Sequence, residues 1–315
     1  VAVYLTLLVT VEAVNAILYG RMRRWGAFFP AMAAAAGGTG LFVLIVFVPA
    51  LRDAALRYTT ALLLTVFGTG LVCDVLALTI RSRRVRRVLG SIRVALPDLM
   101  SLFLPQRTAD VLPRAPLGPV PQQGTEEFEL LFQTSAHGIG LVGHCELCFD
   151  GRTLTYGAYD PAHQRLLRTV GAGIVFSAPR EPYLRWCIGT HHRRVISYSL
   201  RLPPAQAAQL RAELERFRQT LSPWQPEALP EDCFAGRLRR LGGVRFWRVQ
   251  RGPYATYFIP TINCVSLTNE LLEKTDIGRT VMLGLKTPGA YLDLLEREYL
   301  AGNPAVTARR VYDRI

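Results

Sequence analysis

Lysine is nearly absent from this chain. Of 37 basic side chains in 315 residues only Lys274 and Lys286 are lysines, so arginine carries the formal net charge of +13. Arginine gathers in RMRRW (21–25) and RSRRVRR (81–87), as in loops that face a cytoplasm. The basic residues are not interleaved with aromatics on the later part of the chain, which argues against a nucleic-acid surface. Cysteine is too thinly spread, at six positions, for a small disulfide scaffold, and a chain of this length does not need one. A glycine loop that would cradle phosphate ahead of a helix is also missing, so no nucleotide cofactor is expected. CELC (145–148) beside His144 has the look of half a zinc site, but no second CxxC or HxxxH completes it, and no metal is expected.

Long apolar runs are present, and they are unevenly placed. Half the residues are hydrophobic, with a mean hydropathy of +0.19. Residues 1–20, 27–51 and 59–80 are each long enough to span a hydrocarbon core as helices. The first lacks the basic n-region of a secretion signal and reads as an anchor. A fourth segment, 88–105, is interrupted by Arg93, Pro97 and Asp98 and reads equally as an interfacial helix. With both arginine clusters in the cytoplasm, three spans leave the rest of the chain inside, and a fourth carries it to the outer face. Glu12 and Asp74 lie within the runs, where an ionisable group is costly. Residues 106–126 are proline-rich and polar, a semi-extended linker.

From residue 127 onward the pattern is that of a soluble α+β domain. GIGLVGHCELCF and RTLTYGAYD flank Asp150–Gly151, a pair suited to a tight hairpin, with His144 in the first strand. Residues 194–202, 243–250, 254–259 and 306–315 read as further strands. Leu210, Leu214, Phe217 and Leu221 repeat at helical spacing.

YFIPTINCVSLTNELL (257–272) carries the chemistry. Asn263 is a good N-cap, which makes Cys264 the first helical residue, places Leu267 and Leu271 toward a core and leaves Gly278 as a stop. A thiol there meets the positive end of the helix dipole and unpaired amides, which favour a thiolate and an acyl oxyanion. His144 is the natural base. Asp160 is the first choice to orient its imidazole and Tyr159 the second, and hairpin register decides between them. His137 is a substitute base. His163 reads as a surface turn, His191 and His192 as exposed loop residues, and Cys145, Cys148, Cys187 and Cys233 as structural thiols.

GHCELCFDGRTLTYGAYD, SLRLPPAQAAQL and YATYFIPTINCVSLTNELL, in that order, resemble the permuted papain-like domain of the bacterial lipoprotein N-acyltransferase family. Over roughly residues 130–300 the resemblance implies that fold, with Cys264 as nucleophile and His144 as base. It also implies a domain on the outer face of a bacterial inner membrane crossed several times, a phospholipid acyl donor and a lipoprotein amine as acceptor. Two alternatives keep the fold. One is a cell-wall peptidase or amidase with the same Cys–His pair, and the other is a non-catalytic membrane-attached binding module.

Overall fold

The computed structural model describes residues 2–23, 25–79, 127–134, 143–166, 168–225, 230–231, 233–272, 275 and 287–313. The segment 88–105, the linker 106–126, His137 and Gly278 lie outside the described residues. The chain forms two compact units, residues 1–94 and 95–315.

The first unit holds α1 (Ala2–Arg21), α2 (Trp25–Phe47) and α3 (Pro49–Thr79), which coincide with the three apolar runs. Among the described residues one helix, α2, is long and apolar enough to cross a membrane. What stands is one candidate span near the N-terminus. α1 carries Glu12, bonded by the buried Asn15 at 3.3 Å, and α3 opens with Arg52, Asp53 and Arg57.

The second unit is α+β. Its strands are β1 (Glu127–Thr134), β2 (His144–Phe149), β3 (Arg152–Gly157), β4 (Val170–Ala172), β5 (Ile174–Pro179), β6 (Arg194–Arg201), β7 (Leu221–Pro223), β8 (Arg245–Val249), β9 (Thr256–Phe258) and β10 (Val306–Tyr312). Eight form one sheet in the order β10-β6-β1-β2-β3-β5-β8-β7, with every adjacent pair antiparallel. β4 and β9 make a separate two-stranded ribbon. The β2–β3 hairpin turns on Asp150 (φ 49°) and Gly151 (φ 71°), the left-handed pair that the sequence offers there.

Helices cover both faces, so the central strands are buried on both sides. On one face α4 (Arg180–Gly189) and α6 (Phe234–Arg239) close over Leu131, Cys148, Ile174 and Phe176. On the other lie α5 (Pro204–Arg218), α7 (Cys264–Leu272) and α8 (Pro288–Leu300), with α7 packed on β2 and β3 and touching both other helices. Phe132 meets Tyr198 and Tyr291 edge-on beneath this layer. α7 is central because seven of its nine residues are buried. Each fully buried Leu or Val there contributes roughly 1.5–3 kcal/mol.

Alternation along β2 disposes of the zinc reading. Cys145 and Cys148 are three residues apart, so they point to opposite faces. Cys145 Sγ lies 4.0 Å from Thr268 Oγ1 on α7, whereas Cys148 belongs to the core under α4. Among the described residues no group of three His, Cys, Asp or Glu side chains could hold a metal ion.

Candidate functional site

Cys264 is the first residue of α7, as the capping pattern predicts. The chain reaches it from β9 through a tight loop in which Phe258 and Ile262 exchange backbone bonds at 2.9 Å. Close approach holds the turn that precedes β9 against the chain between β4 and β5: a Cβ on Gly173 would stand 1.9 Å from the Tyr254 carbonyl oxygen. Tyr156 donates its hydroxyl to that same carbonyl at 2.9 Å. Asn263 then caps the helix. Its Oδ1 accepts from the Ser266 amide at 3.0 Å, and the Asn263 amide donates to Ser266 Oγ at 2.8 Å, a reciprocal capping box. Its Nδ2 donates to the Ile259 carbonyl at 2.7 Å.

The cap leaves the first amides of the helix to the sulfur. Past Leu147↔Leu154 the β2–β3 pairing does not continue toward His144, and in the opening the Cys145 amide donates to Cys264 Sγ at 3.4 Å. The Tyr257 hydroxyl and the Val265 amide are further donors to it. The sulfur therefore sits at the parted end of the hairpin, beside the residue that follows His144.

His144 begins β2, and its Nε2 lies 3.0 Å from Tyr159 Oη. Register explains the partner. Leu147 opposes Leu154, so His144 projects onto Gly157 and shares a face with Tyr159 rather than Asp160. Glycine at 157 makes room: a Cβ there would lie 2.7 Å from Tyr159 Cζ. The Tyr159 ring is stacked on Phe234 at 5.2 Å and meets Phe176 edge-on.

Asp160, the first choice from the sequence, is committed elsewhere. Its carboxylate accepts from the Ala162 amide at 3.1 Å, from His163 Nδ1 at 2.7 Å and from Arg248. It caps the 3-10 turn Pro161–His163. His163 is in that surface turn, as expected. His191 is not an exposed loop residue: it packs on Trp186 with ring centroids 4.1 Å apart, while His192 is exposed.

The sequence reading missed Glu146. It lies two residues beyond His144 on the same face, is 1% exposed, and has Oε1 3.9 Å from His144 Nε2. Tyr183 and Thr155 donate to Oε1 at 2.6 and 3.0 Å, while Oε2 is buried without a partner. Gln133 links Tyr183 to Arg193. The available signal was an acid in an otherwise apolar strand at even spacing from a histidine.

Electrostatically the pair at rest is neutral. Burial, and secondarily Arg193, bring His144 down to about 3. Burial pushes the Cys264 thiol up to about 11 against the pull of its three donors. The helix N-terminus was expected to favour thiolate, but with the residue only 3% exposed desolvation is the larger effect. Burial also raises Glu146 to about 7, opposed by its hydrogen bonds and by Arg193.

Nε2 is the ring nitrogen turned to Tyr159. The arrangement thus brings a histidine with an orienting hydroxyl and a cysteine with an amide aimed at its sulfur to neighbouring places, at the start of β2 and the start of α7. Compared with protein-family models, curated proteins and solved structures, the chain matches none.

Proposed function

We propose that this protein is a membrane-bound cysteine enzyme of acyl transfer, with Cys264 as nucleophile, His144 as base and Tyr159 as orienter. The observation that supports the reading is the capped helix N-terminus set against the start of β2, where the Cys145 amide, next in the chain to His144, donates to Cys264 Sγ at 3.4 Å. In the forward step His144 Nδ1 takes the Sγ proton, sulfur bonds to the ester carbonyl, and the departing alkoxide takes the proton back from His144. An amine then attacks the thioester, amide replaces thioester, and the thiol is restored.

A candidate membrane helix in the same chain supports a lipid donor, because it tethers the site to a bilayer. The most specific form, taken from the resemblance, passes a phospholipid acyl chain to a lipoprotein amine through a permuted papain-like domain on the outer face of a bacterial inner membrane. A cell-wall peptidase or amidase would use the same residues with water as acceptor. The deep burial of the thiol favours a second reading, a non-catalytic binding module in which Asn263–Cys264 only packs.

Mass spectrometry of the Cys264 peptide after incubation with phospholipid vesicles separates these readings. An acyl adduct in the wild-type protein that is absent from Cys264→Ala is the expected result. No adduct from phospholipid or from a small activated ester sinks the enzymatic reading and leaves the packing one.

A further inference from the structure

Glu146 is a buried carboxyl group with an unfinished set of partners. Oε2 has no hydrogen bond, and the one ion-pair partner of the group among the described residues is His144, 3.9 Å away. Arg193 makes no ion pair with it but attracts it across space and is joined to it by the Gln133–Tyr183 hydrogen bonds, with Gln133 also a hydrogen-bond partner of the carboxyl. A buried acceptor with nothing to accept costs roughly 1–3 kcal/mol. Whenever the group is ionised, its buried negative charge calls for a counter-charge.

That counter-charge can arise at His144. A base that takes the Cys264 proton at Nδ1 becomes an imidazolium in a water-poor site already opposed by Arg193. We propose that Glu146 is the positioning carboxylate of this site: ionised, it holds the proton of neutral His144 on Nε2, leaving Nδ1 free as the base, and it balances the imidazolium that forms when Cys264 attacks. Glu146 itself gains and loses no proton in the step. The role generalises that of the carboxylate behind a catalytic histidine, reached here from within the same strand rather than from a third element. It rests on the reading of Cys264 and His144 as nucleophile and base.

The inference has a pH signature. Glu146 must be ionised to act, and burial places its titration near 7, so acylation should rise as pH rises through that value. The titratable and charged groups that bear on it are His144 and Cys148 on β2, Tyr183 and Cys187 on α4, Tyr159 after β3, and Arg193 before β6. Cys264 on α7 also feels its charge. The thiols and tyrosines are pushed up by burial and His144 down, so Glu146 is the group left to titrate near neutrality.

The test follows acylation of Cys264 in the purified full-length protein by p-nitrophenyl butyrate, read by nitrophenolate release and peptide mass from pH 5 to 9. The wild type should show a limb near pH 7. Glu146→Gln should lose that limb and acylate on the order of 10²-fold more slowly at pH 8. Tyr183→Phe removes a donor to the carboxylate and should move the limb to higher pH, a shift that a merely packed Glu146 would not give. Melting temperatures of both variants guard against misfolding. A Glu146→Gln enzyme with the limb in place, or a Tyr183→Phe enzyme with the limb unmoved, overturns the proposal. Acylation by the nitrophenyl ester but not by phospholipid removes only the lipid donor and leaves the limb to judge Glu146. A wild-type Cys264 inert to both removes the enzymatic reading and this inference with it.

Discussion

Replacing Gly157 by alanine separates the site geometry from ordinary strand behaviour, because the two predict opposite signs. Gly157 does not have a left-handed φ, so alanine is conformationally free there. In a strand interior the change would ordinarily stabilise by about 0.5–1 kcal/mol. Here the new Cβ would sit 2.7 Å from Tyr159 Cζ and 3.0 Å from its Oη. Ordinary contact begins near 3.4 Å, so the ring must retreat by about 0.7 Å, and it is held by Phe234 and Phe176. Retreat of that size stretches the 3.0 Å bond to His144 past hydrogen-bonding range. Overpacking costs about 1–3 kcal/mol and the lost bond about 1 kcal/mol, so the net change is a destabilisation of about 1–3 kcal/mol. For a unit of this size the melting temperature should fall by roughly 3–9 °C. Thermal unfolding and the nitrophenyl ester rate are the assays, with Tyr159→Phe and the double variant completing a cycle. Loss of the His144 bond is common to both single changes, so their rate effects should be strongly non-additive. A Gly157→Ala protein that melts higher than wild type with an unchanged rate would refute the reasoning.

Two further outcomes follow from the same geometry. Asp160→Asn should leave acylation of Cys264 within about two-fold, because its carboxylate serves His163, Arg248 and a turn; a loss matching that of Tyr159→Phe would return Asp160 to the site. Asn263→Ala removes the cap of α7 and should lower stability by about 1 kcal/mol, while Asn263→Ser, which keeps an acceptor for the Ser266 amide and sets no charge against the Ile259 carbonyl, should lose less; denaturant titration distinguishes them, and equal losses would count against the cap.

What the sequence disclosed was local chemistry. A cap residue, the thiol after it and an Asp–Gly hairpin act over a few residues, and each is found where the pattern places it. The hidden parts depend on what packs against what. β1 and β5 are buried on both faces, so their apolar runs lack the alternation that marks a half-exposed strand. The choice between Tyr159 and Asp160 turned on a single step of register, and Gly157 had no meaning until the ring across it was placed. His191 looks like a loop residue because its aromatic neighbours Trp186 and Phe234 come from two different helices. The apolar runs at the N-terminus did become helices, yet helix formation and passage through a bilayer are different properties, and among the described residues one helix, α2, is a candidate for the second by length and composition.

The two buried groups set how the chemistry must run. Moving the proton from a thiol near 11 to an imidazole near 3 spans about eight pH units, or about 11 kcal/mol. An imidazolium and a thiolate brought to about 4 Å would regain about 4 kcal/mol, which would leave the ion pair about 7 kcal/mol above the neutral pair. Turnover at 1–10³ per second corresponds to a total barrier of about 13–17 kcal/mol, so an ion pair at that height lies on an accessible path but does not accumulate. Cys264 therefore does not rest as the preformed thiolate that its helix N-terminus suggested, and in the proposed reaction proton transfer would accompany attack on the carbonyl. Under that regime any charge that steadies the imidazolium lowers the barrier directly. In the proposal above, the buried carboxylate of Glu146, 3.9 Å from the ring, is placed to supply it.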